Sequence, residues 1–272
     1  MFAGLACNHS MRILVATLGR FHMFDLARGL VNCGQQPHIL TTSPRVRVDI
    51  DLRPIATSFS MWAILERARM RVWPKRSAWW QDQSIEYAGR KFARWVGKHA
   101  EQVDVMDALA GVGLEPGRIL ASLRIPWVVN RSSTHILHQK QVLEEEHLRC
   151  GIEPPVVMSD RGLARVLAEY EEADAIVVPS EYCRSTFLDR GFSAQKIHKC
   201  PFGADLSAFS PSGRPPQNIF RICFVGSYSV RKGIHYLFEA IRPLVKAGKC
   251  ECWLIGAPAY EARGILARNS DL

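Results

Sequence analysis

Three segments carry side chains that could do chemistry. The run Asn130-Arg131-Ser132-Ser133-Thr134-His135 gathers an amide, a cation, hydroxyls and a titratable ring. His135 could bond a sugar hydroxyl or a phosphate, or move a proton; a loop histidine capping the next helix is the other reading. Glu144, Glu145 and Glu146 follow about two turns on and read as a solvated helix face. The run Gly226-Ser227-Tyr228-Ser229-Val230-Arg231-Lys232-Gly233 has glycines around two adjacent cations. A compact ammonium, a forked guanidinium and a helix start together suit a diphosphate. The run Thr17-Leu18-Gly19-Arg20-Phe21-His22 is weaker. Gly19 either lets backbone approach a phosphate or simply makes a tight turn.

Neither glycine segment is a dinucleotide fingerprint or a Walker A loop, which argues against a nicotinamide-dependent oxidoreductase. Cys250 and Cys252 share a strand face but have no further ligands spaced for a metal. They read as buried free thiols. No G-x-S-x-G, H-E-x-x-H or C-x-x-C occurs, so no hydrolase, zinc or thioredoxin-like signature is present.

These segments sit after apolar runs that alternate with helical patterns. Residues 11–17, 38–42, 102–106, 125–130, 173–179, 196–201, 220–226 and 251–256 read as strands. Helices are expected over 21–34, 57–73, 80–100, 114–123, 138–149, 160–172 and 232–247, and after Ser180 as an N-cap. Strands alternating with helices predict an α/β chain whose parallel sheet is covered on both faces. Ligands of such sheets bind outside the carboxyl ends of the strands, where the three segments fall. Residues 203–218 are turn-rich and form the expected linker. The expected organisation is a first domain over 1–202 and a β-α-β piece over 219–272, too small to bury a core of its own.

The 272 residues are ordinary globular material, 47% apolar and 22% charged, with no apolar run long enough to cross a membrane. No basic stretch precedes the short apolar part of residues 1–10, so no secretory signal is expected. The eight scattered cysteines point to a reducing cytoplasm. The net charge of +9 is concentrated: residues 45–100 hold twelve Lys/Arg against five Asp/Glu, and five of the seven Trp. There Met61, Ile64, Leu65, Ala68 and Val72 fall on one helical face, with Arg67, Arg69 and Arg71 mostly off it. This is either a core-packed helix with a solvated basic face or a contact for an anionic membrane or acceptor. No nucleic-acid module accompanies it, and no nucleic-acid partner is expected.

Taken together, three stretches resemble glycosyltransferase family 4 of the GT-B fold. They are MRILVATLGRFHMFDLARGL, residues 173–211 and residues 224–241. In the second, Asp174, Ser180, Lys196, Ile197, Gly203, Asp205, Phe209 and Pro211 match the family pattern. In the third, Gly226, Lys232, Gly233, Leu237 and Ala240 match. The loop NRSSTHILHQKQVLEEE is also similar to a subgroup with S-x-H followed by Gln and a Glu pair. The resemblance implies a Rossmann-like domain plus the start of a second, and retaining sugar transfer from a nucleoside-diphosphate sugar. The acceptor would be a glycan, lipid carrier or glycolipid at the cytoplasmic membrane face. No cofactor or metal is expected.

The resemblance implies His135 as the catalytic-side residue. Lys232, Arg231, Gly226 and Gly19 would contact the donor diphosphate, and Arg20, His22, Arg131 and Ser133 would lie on the acceptor side. The family's arginine after the first glycine is Ser227 here, and Phe202 stands where the family has Asn. The alternative is a catalytically inactive fragment or partner subunit with the same fold. After residue 252 only Glu261 and Asp271 are acidic, which leaves no match to the family's ribose-binding Glu region. A truncated donor domain, and a functional start at Met11 with residues 1–10 dispensable, are therefore expected.

Overall fold

The structure is a computed structural model that describes residues 10–72, 78–154, 156, 158–204, 206, 209–210 and 219–270. Residues 1–9 of the stretch expected to be dispensable, Trp73, Asp205, Pro211 and most of the linker lie outside the described residues. Two units emerge: residues 1–138 with 156–203, and residues 139–155 with 204–272. Sequence reasoning placed 139–155 with the first unit; the structure groups it with the second.

The first unit is built on a seven-stranded sheet in the order β3-β2-β1-β4-β5-β6-β7. The strands are β1 Arg12–Thr17, β2 Gln36–Thr41, β3 Ala56–Ser58, β4 Val105–Leu109, β5 Trp127–Asn130, β6 Ala175–Val178 and β7 Ile197–Lys199. Every described pairing in the sheet is parallel. Between them run α1 His22–Asn32, α2 Met61–Val72, α3 Ala78–His99, α4 Leu114–Ser122, α5 Ile136–Arg149, α6 Asp160–Glu172 and α7 Glu181–Leu188. Residues Leu14, Val15 and Ala16 of β1 are all buried, as expected for a strand covered on both faces. On α1, Met23, Phe24 and Ala27 face that core. Ser159 and Ser180 cap α6 and α7, each hydroxyl accepting a backbone N–H at 3.1 Å.

Close approach decides one junction. A Cβ on Gly117 of α4 would stand 2.5 Å from the ring of Trp127, so only glycine lets the helix lie on β5.

Several boundaries differ from the sequence reading. The stretch expected to open a helix at 57 first forms β3, an edge strand paired with β2, and α2 begins at Met61. Two 3-10 turns, Arg45–Arg47 and Ile50–Ile55, were unforeseen. Strand β4 starts three residues later than expected because a 3-10 turn, Ala100–Gln102, ends α3.

The second unit has β8 Phe220–Val225 and β9 Cys250–Ile255 in parallel register, with α8 Ile234–Lys246 between them and α9 Arg263–Arg268 after. Ile234, Phe238 and Ile241 of α8 form its core with Val230 and Ile265. Cys150 and Ile152, from the segment after α5, pack against that cluster. Glu146 accepts hydrogen bonds from the Tyr236 hydroxyl at 2.7 Å and from His235 Nε2 at 3.2 Å. Phe220, Val225, Trp253 and Ile255 of the two strands are exposed.

Candidate functional site

Strand order reverses between β1 and β4, and that switch point is where an open parallel sheet forms its crevice. The β1 side of it carries predicted residues. After β1, Gly19 and Arg20 form the turn into α1, and Thr17 Oγ1 donates to the Gly19 carbonyl at 3.0 Å. Gly19 has ordinary backbone angles, and a Cβ there would meet only the Phe21 ring at 3.4 Å, so no conformational need for glycine exists. Arg20 is exposed and pairs with Asp49 at 3.2 Å. Among the described residues no side chain caps α1, and of its first three amides that of Phe24 donates to the Phe21 carbonyl at 3.1 Å.

His22, the first residue of α1, joins a polar chain that sequence reasoning only half found. Its Nε2 lies 2.8 Å from Asn130 Oδ1 at the end of β5. The Asn130 amide donates to Asp107 Oδ2 at 3.3 Å. An amide that donates to the carboxylate must offer its oxygen to the ring. His22 therefore donates through Nε2–H. Burial pushes the Asp107 carboxyl up to about 6, with the Asn130 bond opposing, and its Oδ1 is buried without a partner. The His22 ring packs on Phe202 at 4.6 Å. Asp107 was missed because a single acid inside a short apolar strand carries no periodic signal.

The other side of the switch point is occupied by the protein itself. Glu169 of α6, fully buried, accepts from the backbone N–H groups of Gly111, Gly113 and Leu114, the latter two at 2.8 and 3.1 Å. The amide donors that open α4 are thus consumed by an internal carboxylate. An incoming anion would find free donors on the β1 side and not on the β4 side.

His135 requires a correction. It was expected in a loop after a strand, either handling a ligand or proton or capping the next helix. The ring is buried, with ring centroids of Phe187, Tyr170 and Phe192 at 4.9, 5.2 and 5.9 Å. Its Nδ1 accepts from the Leu137 amide at 3.2 Å, and its own amide donates to Thr186 Oγ1 at 2.9 Å. Burial, then Arg190, Arg131 and His138, lower its pKa from 6.5 to about 4. The ring is neutral at physiological pH and packs beneath the loop. Arg131 braces that loop through Nε to the Thr134 carbonyl at 2.9 Å, and Ser133 is half-buried within it.

The sign of the His135 effect is definite. A histidine with a depressed folded pKa adds stability above the unfolded value, lost as pH falls from about 6.5 to about 4. Asp107 works oppositely, its raised pKa favouring the fold at lower pH. The melting temperature of His135→Phe should therefore fall less than that of the parent between pH 6.5 and 4. Parallel curves would show that the ring is not buried in the folded protein.

In the second unit, Arg231 and Lys232 stand exposed in the turn between β8 and α8, with no ion pair among the described residues. Gly233 follows in the left-handed region, at φ 71°. Gly226 and Gly256 end β8 and β9, and a Cβ on Gly256 would lie 1.9 Å from the Gly226 carbonyl oxygen. With φ at 151°, Gly256 cannot be replaced without moving that backbone. Among the described residues, no three His, Cys, Asp or Glu gather as for a metal ion.

The parallel sheet with interleaved helices, followed by a β-α-β unit, is the Rossmann-like arrangement of the GT-B fold. Among solved structures, the chain is similar to Anabaena HepE in complex with UDP-glucose, with TM-score 0.60 and 14% identity over 96% of this chain and 65% of that one. It is also similar to S. aureus MnaA solved with UDP, with TM-score 0.51 and 10% identity over 96% and 65%. The UDP-GlcNAc 2-epimerase of Methanocaldococcus jannaschii matches with TM-score 0.50 and 10% identity over 96% and 69%. The chain thus spans about two thirds of the length of these structures. No protein-family model matches the chain, and no curated protein sequence does.

Proposed function

We propose that the chain binds a nucleoside-diphosphate sugar and transfers its sugar, with retention, to a glycan, lipid-carrier or glycolipid acceptor. The observation that carries this reading is the pair Arg231 and Lys232, exposed and without an ion pair among the described residues, in the turn that opens α8. When the glycosidic bond to the diphosphate breaks, negative charge develops on the departing phosphate oxygens. Preplaced cations and helix-opening amides stabilise that charge in the transition state. Fold similarity to proteins solved with UDP and UDP-glucose supports the choice of ligand. Gly19 belongs to the donor side of this reading, and Arg20, His22, Arg131 and Ser133 form its acceptor side. His135 serves by packing the loop that carries Arg131 and Ser133.

A second reading is favoured by one observation. The Asp107 carboxyl and the His22 ring both stand at the switch point, positioned through Asn130, and an epimerisation needs groups that take and give a proton to the substrate. Incubation with UDP-glucose and UDP-GlcNAc, followed by phosphorus and proton NMR, separates the readings. Acceptor-dependent release of UDP supports transfer. A new sugar nucleotide without UDP release supports epimerisation. Binding without either product indicates an inactive partner subunit, and no nucleotide binding by calorimetry overturns all three.

A further inference from the structure

Helix α2 has its apolar stripe turned to solvent. Met61, Leu65, Ala68 and Val72 recur at i, i+4, i+7 and i+11, with Ile64 beside them. A surface helix normally turns such a stripe to the core. Here Met61, Ile64, Leu65 and Val72 are 57%, 57%, 47% and 83% exposed, and Ala68 is exposed as well. The opposite side does the packing. The Trp62 ring stacks on Trp80 of α3 at 4.8 Å and faces Tyr87 at 6.0 Å. Arg69 lies over the Trp80 ring at 5.3 Å and pairs with Glu66 at 2.8 Å. Aromatic stacking and an ion pair thus fix the helix with its apolar side out.

The surroundings continue the same surface. Val46, Ile50 and Trp79 are exposed, as are Arg67 and Arg71 on the flank of the stripe. Beside α2 opens a cavity of about 840 Å³ lined in part by Arg20, Arg47, Arg53 and Arg67. Its one acidic lining residue, Asp49, is engaged by Arg20 at 3.2 Å and by Arg28 at 2.9 Å. Arg53 holds the turn that carries Val46 through that residue's carbonyl at 3.2 Å. Arg47 and Arg67 have no ion-pair partner among the described residues. Exposed aliphatic and indole groups rimmed by uncompensated guanidinium groups complement an anionic bilayer surface.

We infer that this face docks on an anionic lipid membrane, with the α2 stripe in the acyl boundary and a lipid phosphate in the arginine-lined cavity. The inference stands apart from the transfer reading, because docking needs no nucleotide. Vesicle co-sedimentation of the full chain tests it, using phosphatidylcholine alone and phosphatidylcholine mixed with phosphatidylglycerol. Binding should require the anionic lipid and weaken with salt. Each basic side chain at the surface is worth about fivefold, so Arg67→Gln with Arg71→Gln should lower partitioning roughly 10- to 30-fold. Ile64→Ser with Leu65→Ser should lower it while leaving the melting curve unchanged, since neither side chain is in the core. Arg47→Gln should reduce binding several-fold, and Lys249→Gln, outside the patch, should not. Equal binding to both vesicle types, or no binding, would overturn the inference. So would binding of inorganic phosphate through Arg47 without vesicle binding, or a concentration-dependent dimer that Leu65→Ser dissolves.

Discussion

Glu169→Ala should cost the first unit roughly 3–6 kcal/mol, a large share of the stability of an ordinary domain. The carboxylate accepts from three backbone amides, of Gly111, Gly113 and Leu114, in a site closed to water. Alanine leaves all three donors buried and unpaired, each at a cost of about 1–3 kcal/mol less what local rearrangement recovers. Glu169→Gln is not conservative here. Its amide offers one acceptor oxygen and turns two donors toward donors. Hydrogen exchange at the three amides reads the effect directly, because their protection depends on this one side chain. Unchanged protection in Glu169→Ala would show that the loop is held by something else. The pH dependence has a definite sign. Burial raises the Glu169 pKa from 4.5 to about 7, while the amide bonds and Arg165 oppose the shift. Its contribution is complete below about 4.5 and is lost as pH rises through 7. His135 works the other way over 6.5 to 4. Stability of the first unit should therefore peak in the mildly acidic range, and Glu169→Gln should remove the decline on the alkaline side.

What was legible in the sequence and what was not divides along a physical line. Local chemistry could be read. Ser180 before E-Y-C announced a helix start, and its hydroxyl does cap the Cys183 amide. The expected helix over 160–172 matches α6, whose Val166, Glu169 and Tyr170 are buried while Asp160, Arg161, Glu171 and Glu172 are exposed. Long-range packing could not be read. His135 is surrounded by Phe187 and Phe192, contributed by residues about fifty positions on, and nothing local to the loop says so. The apolar face of α2 was correctly drawn, but a periodicity does not tell which way the face points; the stack of Trp62 on Trp80 decides that. The three-residue strand β3 is too short for a period-two signal and is specified by its neighbour β2. Of the site, Gly19, Arg20, His22 and the Asn130 loop come together at carboxyl ends of the sheet, as the alternation of elements required. Asp107 and Glu169 remained invisible because single buried acids are defined by partners far away in the chain.

Lys232→Ala should weaken binding of a nucleoside diphosphate by roughly 1.5–3 kcal/mol, about 10- to 150-fold in Kd. The lysine stands exposed at the end of the turn Val230–Lys232, with Gly233 and α8 directly after it. In this position an ammonium gains a phosphate without losing an internal partner, so its removal subtracts an interaction and leaves the fold intact. Arg231 is adjacent and also unpaired among the described residues. It follows by four residues the position where Ser227 replaces the arginine of the resembled family. If Arg231 supplies that missing charge, Arg231→Ala should weaken binding by a similar factor. The double variant should then lose more than either single one. Lys232→Arg should recover only part of the affinity, since a planar fork does not reproduce a compact charge at the same distance. Calorimetric titration with UDP reads all four proteins, and raising the ionic strength should narrow the differences among them. Unchanged UDP affinity in both single variants would place the phosphates elsewhere and remove the observation on which the transfer reading stands.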